Sequence, residues 1–166
     1  YLYEKIKSLG QYGWDKNRDA QSIGTNSRLD ELQAAILNVK LKYLDQDNQE
    51  RIQIATLYRS SIDNMLISHP EKSKHCYHVY HLYVISVKKG RDKLIEYLRK
   101  NGIYAGIHYS LPVHKQKAYK KYLLKSSNLT NTEKIIKSIV SIPMYQGLEN
   151  KSINKTIDLL NLFSIN

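Results

Sequence analysis

The run Gly24-Thr25-Asn26-Ser27-Arg28-Leu29-Asp30-Glu31-Leu32-Gln33-Ala34-Ala35-Ile36-Leu37 constrains this chain most, because a turn, a helix start and an apolar period follow one another without a gap. Gly24 permits a backbone path that a residue with a Cβ resists. Ser27 is placed to cap the first free amides of a helix, and Asp30 sets negative charge at its positive end. From there Leu29, Leu32, Ile36, Val39 and Tyr43 recur at steps of three and four, the period of one buried helical face. Leu37, Leu41 and Leu44 widen that face, so the sequence predicts a helix covered on more than one side. A core helix by itself accounts for the pattern. The polar residues ahead of it add chemistry: Asn26 and Arg28 stand where helix amides and side chains together favour an anion such as a phosphate.

With 166 residues, 42% of them hydrophobic, the chain is long enough to enclose one real core. It has no apolar run of about twenty residues that would span a membrane. The charged, amphipathic opening Tyr1-Leu2-Tyr3-Glu4-Lys5 does not read as a signal peptide, so a cytoplasmic protein without a membrane partner is expected. The single cysteine, Cys76, excludes an internal disulfide and a cysteine metal cluster. A start at Tyr1 without methionine suggests a piece of a longer chain. The formal charge of +11 raises nucleic acid, an anionic surface or a phosphorylated small molecule as partners. The lysines are scattered along helices and turns and no nucleic-acid motif accompanies them, so nucleic acid is not expected.

Along the chain, Leu2, Ile6 and Leu9 mark the end of a helix that Gly10 stops. Gln11-Tyr12-Gly13-Trp14-Asp15-Lys16-Asn17-Arg18 is a loop of aromatic, basic and turn residues, either packed by Tyr12 and Trp14 or facing a ligand. The long helix is expected from Ser27 to about Ile62, bending near Asp45-Gln46-Asp47-Asn48, with His69-Pro70 closing the segment. Alternation predicts a strand from Tyr77 to Val87, on which His78 and His81 fall on opposite faces and so do not make a metal pair. A helix over Arg91 to Lys100 closes at Asn101-Gly102, and a second strand follows from Ile103 to Tyr109. Lys115 to Leu123 should be helical. Thr130-Asn131-Thr132-Glu133 reads as a capping box for a helix to Ser138, Val140 to Pro143 as a last strand, and Ile153 to Phe163 as a terminal helix. Strands separated by helices predict a small α/β layer.

These stretches carry a resemblance. The run from Gly24 to Leu37 resembles the signature of the DegT/DnrJ/EryC1/StrS sugar aminotransferases, which use pyridoxal phosphate (PLP) on a fold type I scaffold like that of aspartate aminotransferase. His78-Val79-Tyr80-His81-Leu82-Tyr83-Val84-Ile85, Gly102-Ile103 leading into Ile107-His108-Tyr109, Pro112-Val113-His114-Lys115-Gln116 and Ser141-Ile142-Pro143-Met144-Tyr145 follow in that family's order. The resemblance implies that residues 1–25 end a large cofactor-binding domain, 26–62 form an interdomain helix, and 63–166 form a small carboxy-terminal α/β domain.

It also implies roles. Asn26 matches the residue that reaches across a homodimer interface to the cofactor phosphate of the neighbouring subunit, with Arg28 as its support. Arg18 matches a position that contacts a nucleotide-sugar substrate, and His108 and Tyr109 match a loop entering the active site; His114 and Tyr145 lie nearby. A guanidinium can grip a diphosphate with two parallel hydrogen bonds. The Schiff-base lysine and its acidic partner are expected upstream of Tyr1, so no catalytic residue is nominated here and the fragment alone is expected to be inactive. The implied reaction moves an amino group from glutamate to a dTDP-linked keto-6-deoxy sugar at C3, for surface polysaccharides, surface layers or antibiotics. The alternatives are a PLP-dependent nucleotide-sugar dehydratase of the same family, or a cofactor-free module binding nucleotide sugar or nucleic acid.

Overall fold

Helix α1 (Leu2–Leu9) stops at Gly10, but not through the left-handed turn that glycine usually supplies. Gly10 is right-handed, at φ −71° and ψ −8°, and what matters is its missing side chain: a Cβ there would stand 2.8 Å from the Ser27 carbonyl oxygen. The computed structural model describes residues 1–122 and 129–165, which fall into two compact units, Tyr1–Leu44 and Asp45–Asn166. In the first unit the chain leaves Gly10, loops out, and returns along its own backbone. Thr25 N donates to Leu9 O at 2.8 Å, Tyr12 N to Thr25 O at 3.0 Å and Ser27 N to Gly10 O at 2.9 Å. Gln11 pairs with Asn26, and Trp14 with Ala20, as isolated antiparallel bridges. Gly24 fits between these strands of backbone; a Cβ there would lie 2.3 Å from Gly13 N and 2.5 Å from Leu9 O.

Helix α2 (Glu31–Leu41) begins later than the sequence predicts. Asp30, not Ser27, is its N-cap, joined to Gln33 in a capping box, because the Ser27 amide is already tied to Gly10. The predicted burial of its apolar face is also corrected. Leu29, Leu32, Ile36, Leu37, Val39, Leu41, Tyr43 and Leu44 are between 47% and 73% exposed. The first unit offers one helix layer and a loop, too little to cover that face among the described residues. Nor is the long helix continuous. Tyr43 N donates to Lys40 O at 3.0 Å, a tight turn that separates α2 from α3 (Leu44–Ser61) ahead of the expected bend.

In the second unit, β1 (Ile67–Ser68), β2 (Tyr83–Val87) and β3 (Ile139–Ile142) form an antiparallel sheet in the order β1-β2-β3, with Ile67 opposite Val87 and Tyr83 opposite Ile142. β2 is shorter than predicted: Tyr80 turns to φ +51° and its N–H donates to His78 Nδ1 at 2.9 Å, removing it from any ladder. Helix α4 (Arg91–Lys100) closes at Asn101-Gly102 as expected, with Gly102 at φ +78°. The strand expected over Ile103 to Tyr109 reduces to one bridge, Gly106 with Ser141, since Ile103 N is still bonded back to Leu98 O. In place of a helix from Lys115 there are 3₁₀ turns at Val113–Lys115 and Lys117–Tyr122; Leu123 lies outside the described residues. Helix α5 (Thr130–Ile135) has Leu129 as N-cap and no capping box, because the Glu133 carboxylate is held elsewhere. Helix α6 (Asn150–Leu162) ends the fold.

One core joins these pieces: Tyr58 and Ile54 from α3, the inward-facing Tyr83, Ile85 and Val87 of β2, Leu94 and Leu98 of α4, and Ile153 and Leu160 of α6. Two buried tyrosines are its polar anchors. Tyr58 donates its hydroxyl to Pro143 O at 2.9 Å. Tyr83 Oη lies 2.9 Å from His69 Nδ1, whose Nε2 lies 3.1 Å from Ile62 O. A carbonyl only accepts, so Nε2 carries the proton and Tyr83 donates to Nδ1.

Burial pushes both phenols up to about 12. The folded state therefore keeps protons that an unfolded chain releases near pH 10, and stability is full below pH 10 and falls between pH 10 and about 12. Chemical denaturation across that window should show the decline, and Tyr58→Phe should reduce it to roughly half, leaving the Tyr83 contribution, while lowering stability at neutral pH by about 1 kcal/mol. Gly24→Ala should destabilise the first unit by about 1–3 kcal/mol, because its Cβ meets backbone that cannot rotate away; unchanged protection of the Thr25 and Ser27 amides against exchange would contradict it.

Candidate functional site

The loop after α1 is a scaffold for one cation. Asp15 Oδ1 accepts from Asn17 N at 2.8 Å and Asp19 N at 3.0 Å, Asp15 N donates to Asp19 O at 2.9 Å, and Arg18 N donates to Asp15 O at 3.1 Å. This closed turn holds Arg18 at φ +62°, a left-handed conformation that costs a non-glycine residue about 1–3 kcal/mol. Its guanidinium carbon lies 6.0 Å from the centroid of the Trp14 ring, which in turn packs on Tyr12 at 4.9 Å. Among the described residues no carboxylate pairs with Arg18, so its hydrogen-bond donors remain open to an anion.

Asn26 and Arg28 are brought together in the same unit. Arg28 Nε donates to Asn26 Oδ1 at 2.9 Å and lies 4.0 Å from Asp30 Oδ1. The bond occupies the amide oxygen of Asn26 and leaves its two N–H hydrogens to donate outwards. The set is exposed and offers hydrogen-bond donors to an anion, while the Asp30 carboxylate offsets the Arg28 charge.

His108 and Tyr109 belong to the second unit. Gly106 and Ser141 exchange two backbone bonds, of 3.0 and 2.8 Å, and His108 Nδ1 sits 2.9 Å from Ser141 Oγ. That contact uses one ring nitrogen and leaves Nε2 for a ligand. Tyr109 is 75% exposed. It lines an open cavity of about 550 Å³ together with Leu111, Val113, His114 and Tyr119. His114 Nε2 lies 3.1 Å from Glu133 Oε1, and Lys115 Nζ 2.7 Å from Glu133 Oε2. Hydrogen bonds from Lys115 first, and then from His114, hold the Glu133 carboxyl below the usual carboxylate range. Tyr145 is half-exposed.

Asp15, Ser141 and Glu133 were not among the residues that the sequence singles out for a site. Asp15 had a local signal, an Asp two residues before Asn in a turn. Ser141 stood in a family-like run and Glu133 in an expected capping box, but nothing local marked their contacts with His108 and His114, which lie 33 and 19 residues away.

The family profile of the DegT/DnrJ/EryC1/StrS aminotransferases matches residues 1–161. Over 162 residues the chain is 39% identical to dTDP-3-amino-3,6-dideoxy-alpha-D-galactopyranose transaminase of Aneurinibacillus thermoaerophilus, covering 98% of this chain and 44% of that protein. It is 32% identical to the pleiotropic regulatory protein of Geobacillus stearothermophilus, over 98% of this chain and 44% of that one. In three dimensions it is similar to the crystal structure of DesV from S. venezuelae, with a TM-score of 0.83 and 32% identity, covering 96% of this chain and 43% of that one. The chain thus spans less than half the length of the relatives it matches. With the signature from Gly24 to Leu37, the matched profile and the shared fold in agreement, this chain belongs to the DegT/DnrJ/EryC1/StrS aminotransferase family, whose members depend on PLP.

Proposed function

We propose that this chain serves as the carboxy-terminal wall of a nucleotide-sugar aminotransferase that moves an amino group from glutamate to a dTDP-linked 3-keto-6-deoxy sugar. The observation that carries this reading is 39% identity along 98% of the chain with a relative named for a dTDP-3-amino sugar. PLP, when bound, supplies the electron sink that carries the amino group between donor and acceptor. The lysine that would anchor it is assigned to a part of the enzyme upstream of Tyr1, and the working unit to a homodimer.

Within that unit, the free amide hydrogens of Asn26, steadied by Arg28, would hold the cofactor phosphate of the neighbouring subunit. Arg18 would take the substrate diphosphate, its guanidinium kept over Trp14 by the Asp15 turn. His108 would offer Nε2, and Tyr109 its hydroxyl, to sugar hydroxyls or diphosphate oxygens. A cofactor-free regulatory module is the rival reading, favoured by the name of the Geobacillus relative.

An absorbance spectrum of the full-length protein with PLP separates the two. On the aminotransferase reading, glutamate removes the cofactor's visible band and the 3-keto sugar restores it; a band that glutamate leaves untouched, or no band, would overturn it. Arg18→Ala and His108→Ala should raise KM for the nucleotide sugar about tenfold or more, with cofactor content unchanged. For Asn26→Ala the order reverses, and PLP retention in dialysis should suffer first.

A further inference from the structure

The segment that carries His108 and Tyr109 is held at two ends by different means. At its start, Ser141 fixes Gly106 through paired backbone bonds and His108 through its hydroxyl. At its far end, a single carboxylate takes two consecutive residues: Glu133 Oε1 meets His114 Nε2 at 3.1 Å and Oε2 meets Lys115 Nζ at 2.7 Å. Residues 109–113 lie between, and Tyr109 is 75% exposed. We infer that Glu133 is a positioning residue for the nucleotide sugar, latching the far end of this segment so that Tyr109 is presented at a fixed place and angle. The inference rests on the assignment of His108 and Tyr109 to the sugar given above.

Three features support the latch. The His114 side chain is only 16% exposed, so its bond to Glu133 is shielded, unlike the pair between Glu96 and Lys100, whose side chains are both more than half exposed. Two donors on the two oxygens of one carboxylate fix rotation as well as position, where a single donor would leave a swivel. Lys115 N also donates to Pro112 O at 2.9 Å, so a displacement of His114 and Lys115 is passed to the backbone that leads back to Tyr109. Without the carboxylate, a largely buried imidazole and an ammonium would lose their shared acceptor. Nothing else in the 3₁₀ turn Val113–Lys115 ties it to α5 through a side-chain hydrogen bond among the described residues.

The test uses the full-length enzyme with Glu133→Ala, Glu133→Gln and Lys115→Met, read by amide hydrogen exchange and by steady-state kinetics with the nucleotide sugar. Glu133→Ala should speed exchange at the Lys115 and Gln116 amides and raise KM about tenfold, with kcat and cofactor absorbance within about twofold of wild type. Glu133→Gln keeps an oxygen for His114, and Lys115→Met keeps the His114 bond, so both should give smaller increases in KM. Unchanged exchange in all three variants would overturn the latch. Faster exchange with unchanged KM, or an equal fall in kcat with loss of cofactor, would overturn the positioning role. Failure of the wild-type enzyme to use any nucleotide sugar would overturn the functional reading, and the substrate role with it, while the exchange data still decide whether the latch exists.

Discussion

The geometry of the second unit is referred to Ser141. Its backbone is paired with Val84 in the β2–β3 ladder on one side and with Gly106 on the other, and its hydroxyl takes His108. One residue thus connects the sheet at the centre of the core to the loop that carries the candidate site. A buried serine needs partners for its polar atoms, and the loop supplies one of them. The imidazole gains a fixed orientation from the same bond, because Ser141 stands on a strand whose neighbours Val140 and Ile142 are packed in the core. Rigid support beneath an exposed loop is the arrangement that suits the proposed role of His108 and Tyr109.

The first unit is ordered on another basis. It buries almost no apolar surface of its own, and its loop is set by backbone hydrogen bonds and by glycines at places of close approach. Gly13, at φ +77°, could not carry a side chain, since a Cβ would stand 1.8 Å from the Ser22 carbonyl oxygen. The Asp15 turn places the Arg18 guanidinium 6.0 Å from the Trp14 ring, with Arg18 in a left-handed conformation. Such a platform is chemically complete without a hydrophobic core.

The sequence by itself determined the family and the ends of α1 and α4, and it placed β2, β3 and α6 approximately, but it missed β1 and expected a strand after α4 that the structure reduces to one bridge. The features it placed follow from local chemistry: apolar period and Asn-Gly stops. Tertiary structure decided the rest. The start of α2 moved because Ser27 N was drawn to Gly10; the strand over 77–82 was lost to a local bond at His78; the expected capping box of α5 gave way because Glu133 reached two partners a long way back in the chain. The apolar face of α2 reads as buried from its period, yet period reports only which side chains share a face. Whether anything covers that face depends on the elements packed beside it, and those contacts are not local in the chain.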